Sequence, residues 1–455
     1  MRTIVRAMAV LCVLLLAATP VSWEVRARPA APVAGITERV SVASDGSQGN
    51  GGSAVPSISA DGQYVTFHSS ASNLVSADTN YSDDIFVRDR VADMTECVSV
   101  VSNECQGSDY SHRGAISADG QYVAFFSAAS NLVADDTNNF LDVFVRDRTS
   151  EITERVSVSS DEIQGNGGSI NPAITPDGRY VVFRSIANNL VSEDTNNRYD
   201  IFVRDRETGM TERVSVASDE TQGNGDSNYP SISANGRYVA FNSAASNLVA
   251  GDTNSWDDVF VRDREAGTTE RVSVASDESQ QNLASLYPLI SANGQYVVFQ
   301  SFATNLVGGD TNNAGDIFVR QLGAGITERV SVASDRSQGN NPSEFPSISA
   351  DGRYVAFRSS ANNLVGGDTN AVPDIFVHDR LLRTTERASV ASDDSQANGE
   401  SDQPAISADG RYVAFRSNAN NLVVEDTNGY FDVFVRDRGE QPLLLNVYLP
   451  IVTRY

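Results

Sequence analysis

The sequence predicts an all-β protein, a seven-bladed β-propeller with four antiparallel strands in each blade. Three observations carry that expectation. The segment Thr-Glu-Arg-Val-Ser-Val at Thr37 returns, with small changes, at Thr95, Thr153, Thr211, Thr269, Thr327 and Thr385, a constant interval of 58 residues (95 − 37). No stretch of the repeat has the helical period, whereas short β-rich runs alternate with turn residues. The chain also starts its first repeat with the strand that ends every other repeat, so its two ends can complete one sheet. A fixed period of this size marks a supersecondary unit that must stack on its neighbours to bury its apolar face.

In the copy at Pro346, Pro-Ser-Ile-Ser reads as a short strand A and Arg-Tyr-Val-Ala-Phe-Arg-Ser as strand B. Asp374-Ile-Phe-Val-His-Asp-Arg reads as strand C and Thr385-Glu-Arg-Ala-Ser-Val as strand D. B and C are apolar on both sides, as strands between neighbouring sheets must be, and D alternates as an edge does. Between A and B stands Asp-Gly, or Asn-Gly at Asn235 and Asn293, which predicts a two-residue primed turn that needs shape and no charge. Pairing the N-terminal D strand (Thr37 to Ala43) with the last blade would remove the free edges of an open array.

Residues 1–27, with Arg2 and Arg6 before an apolar run from Ala7 to Ala18 and then Pro20, read as a secretory signal peptide, too short for a membrane span. Residues 28–35 read as a linker, 36–438 as the propeller and 439–455 as a C-terminal tail that covers an edge or serves surface sorting. Export to the periplasm, the cell surface or the medium follows. Cys97 and Cys105 occur together in one repeat, which leaves a disulfide or two unpaired thiols open.

The basic residues, all arginine, number 34 against 59 acidic ones, a formal charge of −25. Such a surface repels phosphate backbones and anionic lipid, so neither nucleic acid nor a membrane surface is an expected partner. A monomer whose partner is a protein or a glycan fits the composition.

The pattern Pro-x-Ile-Ser-x-Asp-Gly-x-Tyr-Val-x-Phe…Asp-Ile-Phe-Val-x-Asp resembles the TolB-like, or PD40, WD40-like β-propeller repeat of exported bacterial proteins, over about residues 36 to 438. The resemblance implies the fold and is nearly silent on the ligand. It departs from TolB itself in lacking an N-terminal α/β domain and in its count of seven. No Gly-x-Ser-x-Gly elbow of the peptidases that carry similar propellers is present.

Between B and C every copy keeps Asp-Thr-Asn-x-x-x-Asp while the three inner residues drift. The positions are Asp78, Asn80, Asp84; Asp136, Asn138, Asp142; Asp194, Asn196, Asp200; Asp252, Asn254, Asp258; Asp310, Asn312, Asp316; Asp368, Asn370, Asp374; and Asp426, Asn428, Asp432. Two readings are open. These oxygens could converge on Ca²⁺, a hard cation that wants six to eight of them. Alternatively they bond the loop backbone in Asx-turns. No other cofactor is implied.

A single ligand on a pseudo-symmetry axis is contacted by side chains that differ between blades. The residue before the strand-A proline is Val55, Arg113, Asn171, Tyr229, Tyr287, Phe345 and Gln403 in turn, with Gly114 replacing the proline in the second blade. One position earlier stand His112, Glu344 and Asp402 among apolar residues and Asn228. An aromatic arc facing Gln403, Arg113 and His112 suits a neutral sugar or a peptide side chain, unless the same residues merely plug the channel. The leading expectation is a non-enzymatic binding scaffold using its long-loop face. The alternative is a hydrolase or lyase acting on polysaccharide with Glu344 and Asp402 as acid and base. His68, His112 and His378 fall in different repeats without metal-ligand spacing.

Overall fold

Each repeat folds into one antiparallel sheet whose strand order follows the chain. In the computed structural model, which describes residues 35–76, 78–102 and 106–439, seven such sheets form a ring. The first blade comprises A (Ser53–Ile58), B (Tyr64–Ser69), C (Asp84–Asp89) and D (Met94–Cys97). The last blade takes A, B and C from Ser401–Ile406, Tyr412–Ser417 and Asp432–Asp437, and its D strand is the N-terminal Ile36–Arg39. That strand pairs from Ile36 with Asp437 to Arg39 with Phe434, so the ring closes as expected. The expected signal peptide, the expected C-terminal tail beyond Gly439 and Cys105 lie outside the described residues.

The core lies between blades as well as within them. Seven apolar clusters each join B and C of one blade to C of the preceding one, as where Val65, Phe67 and Phe86 pack on Val433 and Val435. No helix among the described residues is long and apolar enough to cross a membrane.

Three local expectations are corrected. Strand A starts three residues before its proline, at Ser343 in the copy around Pro346. Strand D is shorter than its alternating pattern, ending at Arg39, after which Val42 bridges back to Gln48. The A–B connection is not a primed turn, since Gly62 has φ +75° while Asp61 is not left-handed. Instead Gly62 N–H donates to Ser59 O, and Asp61 Oδ1 accepts from Gln63 N–H at 2.9 Å and Ser59 Oγ at 2.7 Å. Asn235 Oδ1 accepts the same two bonds, so Asp and Asn interchange because one oxygen acceptor is all the turn uses.

The Gly of that turn also sits under the preceding blade. A Cβ on Gly62 would lie 2.2 Å from the Tyr412 ring, and the same contact recurs around the ring, as with Gly120 under Tyr64. The second arginine of Arg-Asp-Arg completes the joint: Arg148 lies 4.6 Å over Tyr64, donates to Gly120 O and pairs with Glu96 of the preceding blade. These arginines are therefore staples between blades. At Leu322 the fifth blade has none, and Glu270 keeps no ion pair among the described residues. At the inner turns backbone bonds link blade to blade, from Ala60 to Ala118, Ala118 to Pro176, Ala234 to Ala292, Asn293 to Ala350, Ala350 to Ala408 and Ala408 to Ala60. Pro176, having no N–H, cannot donate onward to the fourth blade.

Candidate functional site

Seven residues that differ between blades are brought to one axis by a bulge in strand A. Ala54 pairs with His68 and Ser57 with Thr66, so Val55 and Pro56 stand opposite a single residue, and the shift recurs in every blade. Pro suits the second bulge position because a bulged residue has no ladder bond to give up. The first position is left-handed throughout: Val55, Arg113, Asn171, Tyr229, Tyr287, Phe345 and Gln403 have φ between 49 and 56°. Side chains other than Gly are strained there, which turns the local fold toward display of the side chain. In the second blade Gly114 replaces the proline, and a Cβ there would lie 2.5 Å from Thr66 Oγ1.

These seven residues line an axial cavity of about 360 Å³. The rings of Tyr229 and Tyr287 are 4.5 Å apart and those of Tyr287 and Phe345 5.2 Å. The Arg113 guanidinium stands 5.7 Å over Tyr229, and Gln403 Oε1 accepts from Val55 N–H at 2.9 Å. Burial, reinforced by the hydrogen bond with Tyr229, pushes the Tyr287 hydroxyl up to about 12. The cavity thus offers an aromatic wall, one guanidinium and two side-chain amides.

His112, Glu344 and Asp402 do not line it. Strand alternation turns them sideways toward the seams between blades, where Glu344 and Asp402 meet strand-B arginines and His112 meets Asp83, the residue just before strand C of the preceding blade. Glu344 pairs with Arg358, which also reaches Glu400 at 3.1 Å. Asp402 stands 3.6 Å from Arg416, and burial raises its pKa. Each of the two carboxylates therefore faces an arginine. The seams carry unrelated chemistry at matching positions: Phe126, Leu141 and Ile170 are apolar, Arg184 lies 3.6 Å over Tyr199, and Asn242 bonds Asp257 at 3.0 Å. Between the first and second blades the three positions hold His68, Asp83 and His112. The imidazoles stack 4.5 Å apart, and His112 Nε2 lies 2.9 Å from Asp83 Oδ2, a bond that holds the carboxyl below its usual range. Burial depresses His68 to about 4. Scanning for ligand spacing within a repeat misses this cluster. Aligning the repeats and tracing one seam would have found it.

The Asp-Thr-Asn-x-x-x-Asp loops are tied to strand D and to the loop that follows it. Asn80 Oδ1 accepts from Ser82 N–H in an Asx-turn, and Asn80 Nδ2 donates to Gly107 O. Asp84, fully buried, accepts from Ser99 Oγ at 2.6 Å and Gln106 Nε2 at 2.7 Å, and that same amide reaches Asp78 at 2.8 Å. This glutamine is present in all seven copies and went unremarked in the sequence. In six blades a strand-D arginine stands against both carboxylates, as Arg329 does 3.3 Å from Asp310 and Asp316. Arg39, Arg155, Arg213, Arg271 and Arg387 are its counterparts. The first blade has Cys97 instead, and burial raises the Asp84 carboxyl there to about 6 and the thiol to about 12.

No known family profile matches the chain, and no curated relative matches it. Among solved structures it is similar to the β-propeller domain of the Trilobed protease from Pyrococcus furiosus (TM-score 0.53, 10% identity, covering 85% of this chain and 95% of that one). That propeller has an open velcro topology, whereas this ring is closed by its N-terminal strand. An oligogalacturonate lyase in complex with manganese matches with TM-score 0.53 and 11% identity over 90% of this chain and 96% of that one. TolB from Acinetobacter baumannii matches with TM-score 0.39 and 16% identity over 84% of this chain and 82% of that one. At these identities the two matches with TM-score 0.53 establish the propeller fold alone.

Proposed function

We propose that this protein is an exported, non-enzymatic binding scaffold whose axial cavity takes a segment of a glycan or protein partner. One observation supports the reading above others. The repeat varies freely at the seven bulge positions that meet on the axis, while it holds the surrounding joints nearly constant. Adjoining aromatic rings with a few polar groups favour pyranose rings or apolar peptide side chains. Export is proposed from the apolar N-terminal run.

The test is calorimetric titration of the mature protein with ligands selected on glycan and peptide arrays. Tyr287→Ala is expected to weaken binding about ten-fold or more, within the range of aromatic contacts at binding centres. Affinity unchanged in Tyr229→Ala, Tyr287→Ala and Phe345→Ala would leave these rings as a plug. Turnover of a polysaccharide, abolished by Glu344→Gln, would replace the scaffold reading with an enzymatic one.

Calcium in the repeated loops belongs to the same proposal. A cation competes with an arginine in six blades, so the expected place is the first, beside Asp78 and Asp84. A rise in melting temperature on adding Ca²⁺ should disappear in Asp78→Asn.

A further inference from the structure

The geometry points to a transition-metal site in the seam between the first and second blades, where His68, Asp83 and His112 bind a divalent cation of the Zn²⁺ class. Their donor atoms all lie within 4.8 Å of one another. Around a tetrahedral ion, donors stand about 3.3 Å apart, so modest side-chain rotation closes the set. The chemistry of the donors selects the cation. Two imidazoles and one carboxylate suit Zn²⁺ and its neighbours, whereas Ca²⁺ and Mg²⁺ want oxygen alone.

Two further observations converge on the same place. His68 Nδ1 is buried with no hydrogen-bond partner, an unmet polar atom of the kind a ligated ion satisfies. The rest of the pocket is preorganised: Tyr110 meets the His112 ring edge-on at 5.2 Å and Phe126 lies 5.9 Å away, restricting its rotation. Without an ion, two parallel imidazoles side by side gain little that the Phe, Leu and Ile of the next seam do not supply by packing.

Three protein ligands leave a fourth position, as catalytic and ligand-binding zinc centres do. His68 and Asp83 line a cavity of about 340 Å³ that also contains Arg416 and Tyr430. An anionic group entering there would meet the ion on one side and the guanidinium on the other.

The test uses the full mature chain stripped with a chelator, then titrated with Zn²⁺ against a competing dye and with Co²⁺ as a spectroscopic probe. The variants are His112→Ala and His68→Gln, because Ala54 and Gln300 already occupy those repeat positions, and Asp83→Asn. One Zn²⁺ per chain is expected, with visible Co²⁺ bands lacking a thiolate transition and an affinity about ten-fold or more lower in each variant. Equal affinity in parent and variants, Co²⁺ bands of thiolate character, or no binding by the parent would overturn the proposal.

Discussion

At residue scale, the left-handed bulge position shows how a side chain can be held against backbone preference. Val55 at φ +50° is the hardest case, being β-branched. Val55→Ala and Val55→Gly both remove its packing, but only glycine relieves the backbone. Urea unfolding should therefore find the Gly variant more stable than the Ala variant by about 1 kcal/mol. His378 is a second residue-scale case. It fills the place of arginines such as Arg320, bonding Thr385 Oγ1 through Nδ1 at 2.9 Å, and where Arg320 meets Glu278 the chain here has Arg336. The two changes compensate in charge, so His378→Arg and Arg336→Glu should couple favourably by about 0.5–1 kcal/mol in a double-mutant cycle. Burial depresses His378 to about 4, below the 6.5 of an unfolded histidine. The unfolded chain then binds more protons between these values, so this group's contribution is lost as pH falls through that window. The advantage of the double variant, read from melting midpoints, should be larger at pH 5 than at pH 8.

At element scale, the staple at the end of strand C explains a motif whose repetition was plain and whose partner was hidden. Arg-Asp-Arg was legible as a charged row. That its last residue spans the tyrosine, the glycine carbonyl and the glutamate of two sheets depends on the stacking of separate repeats. Leu322→Arg should restore the missing joint with Tyr238, Glu270 and Gly294 across a cavity of about 470 Å³. A gain of about 0.5–1 kcal/mol is expected in chemical denaturation, the range of one ion pair with a cation–π contact. Loss of stability would show that Leu322 packing outweighs the staple. Strand number, order and the aromatic arc were readable because the period and the alternation are local signals. The turn type and the extent of A were not, since a bulge and an Asx-turn use the same Pro, Asp and Gly that a simpler hairpin would. The sideways placement of His112, Glu344 and Asp402 followed from alternation in A, which the short Pro-Ser-Ile-Ser reading of that strand concealed.

At the scale of the whole molecule, closure by Ile36–Arg39 makes the ring depend on residues nearly 400 positions apart in sequence, as in the bond from Ser41 Oγ to Asp432. Removing residues 35–43 would expose strand C of the last blade as an unpaired edge, prone to pairing with another chain. Light scattering should then report association, and the melting transition should broaden. The ring was legible from the phase of the repeat, which offset one strand between the ends. The metal cluster was not, because its three residues come from two repeats and no spacing within either announces them.

The inner turn at Pro176 has a further consequence when set beside Leu322. The fourth blade lacks the backbone tether on its third-blade side and the arginine clasp on its fifth-blade side. Each other blade lacks at most one of these. The circle is thus thinnest opposite its own clasp, and thermal breathing should begin there, with amide protons of Ser227–Ile232 exchanging sooner than those of Ser401–Ile406. A molecule closed by its amino terminus would then open on its far side.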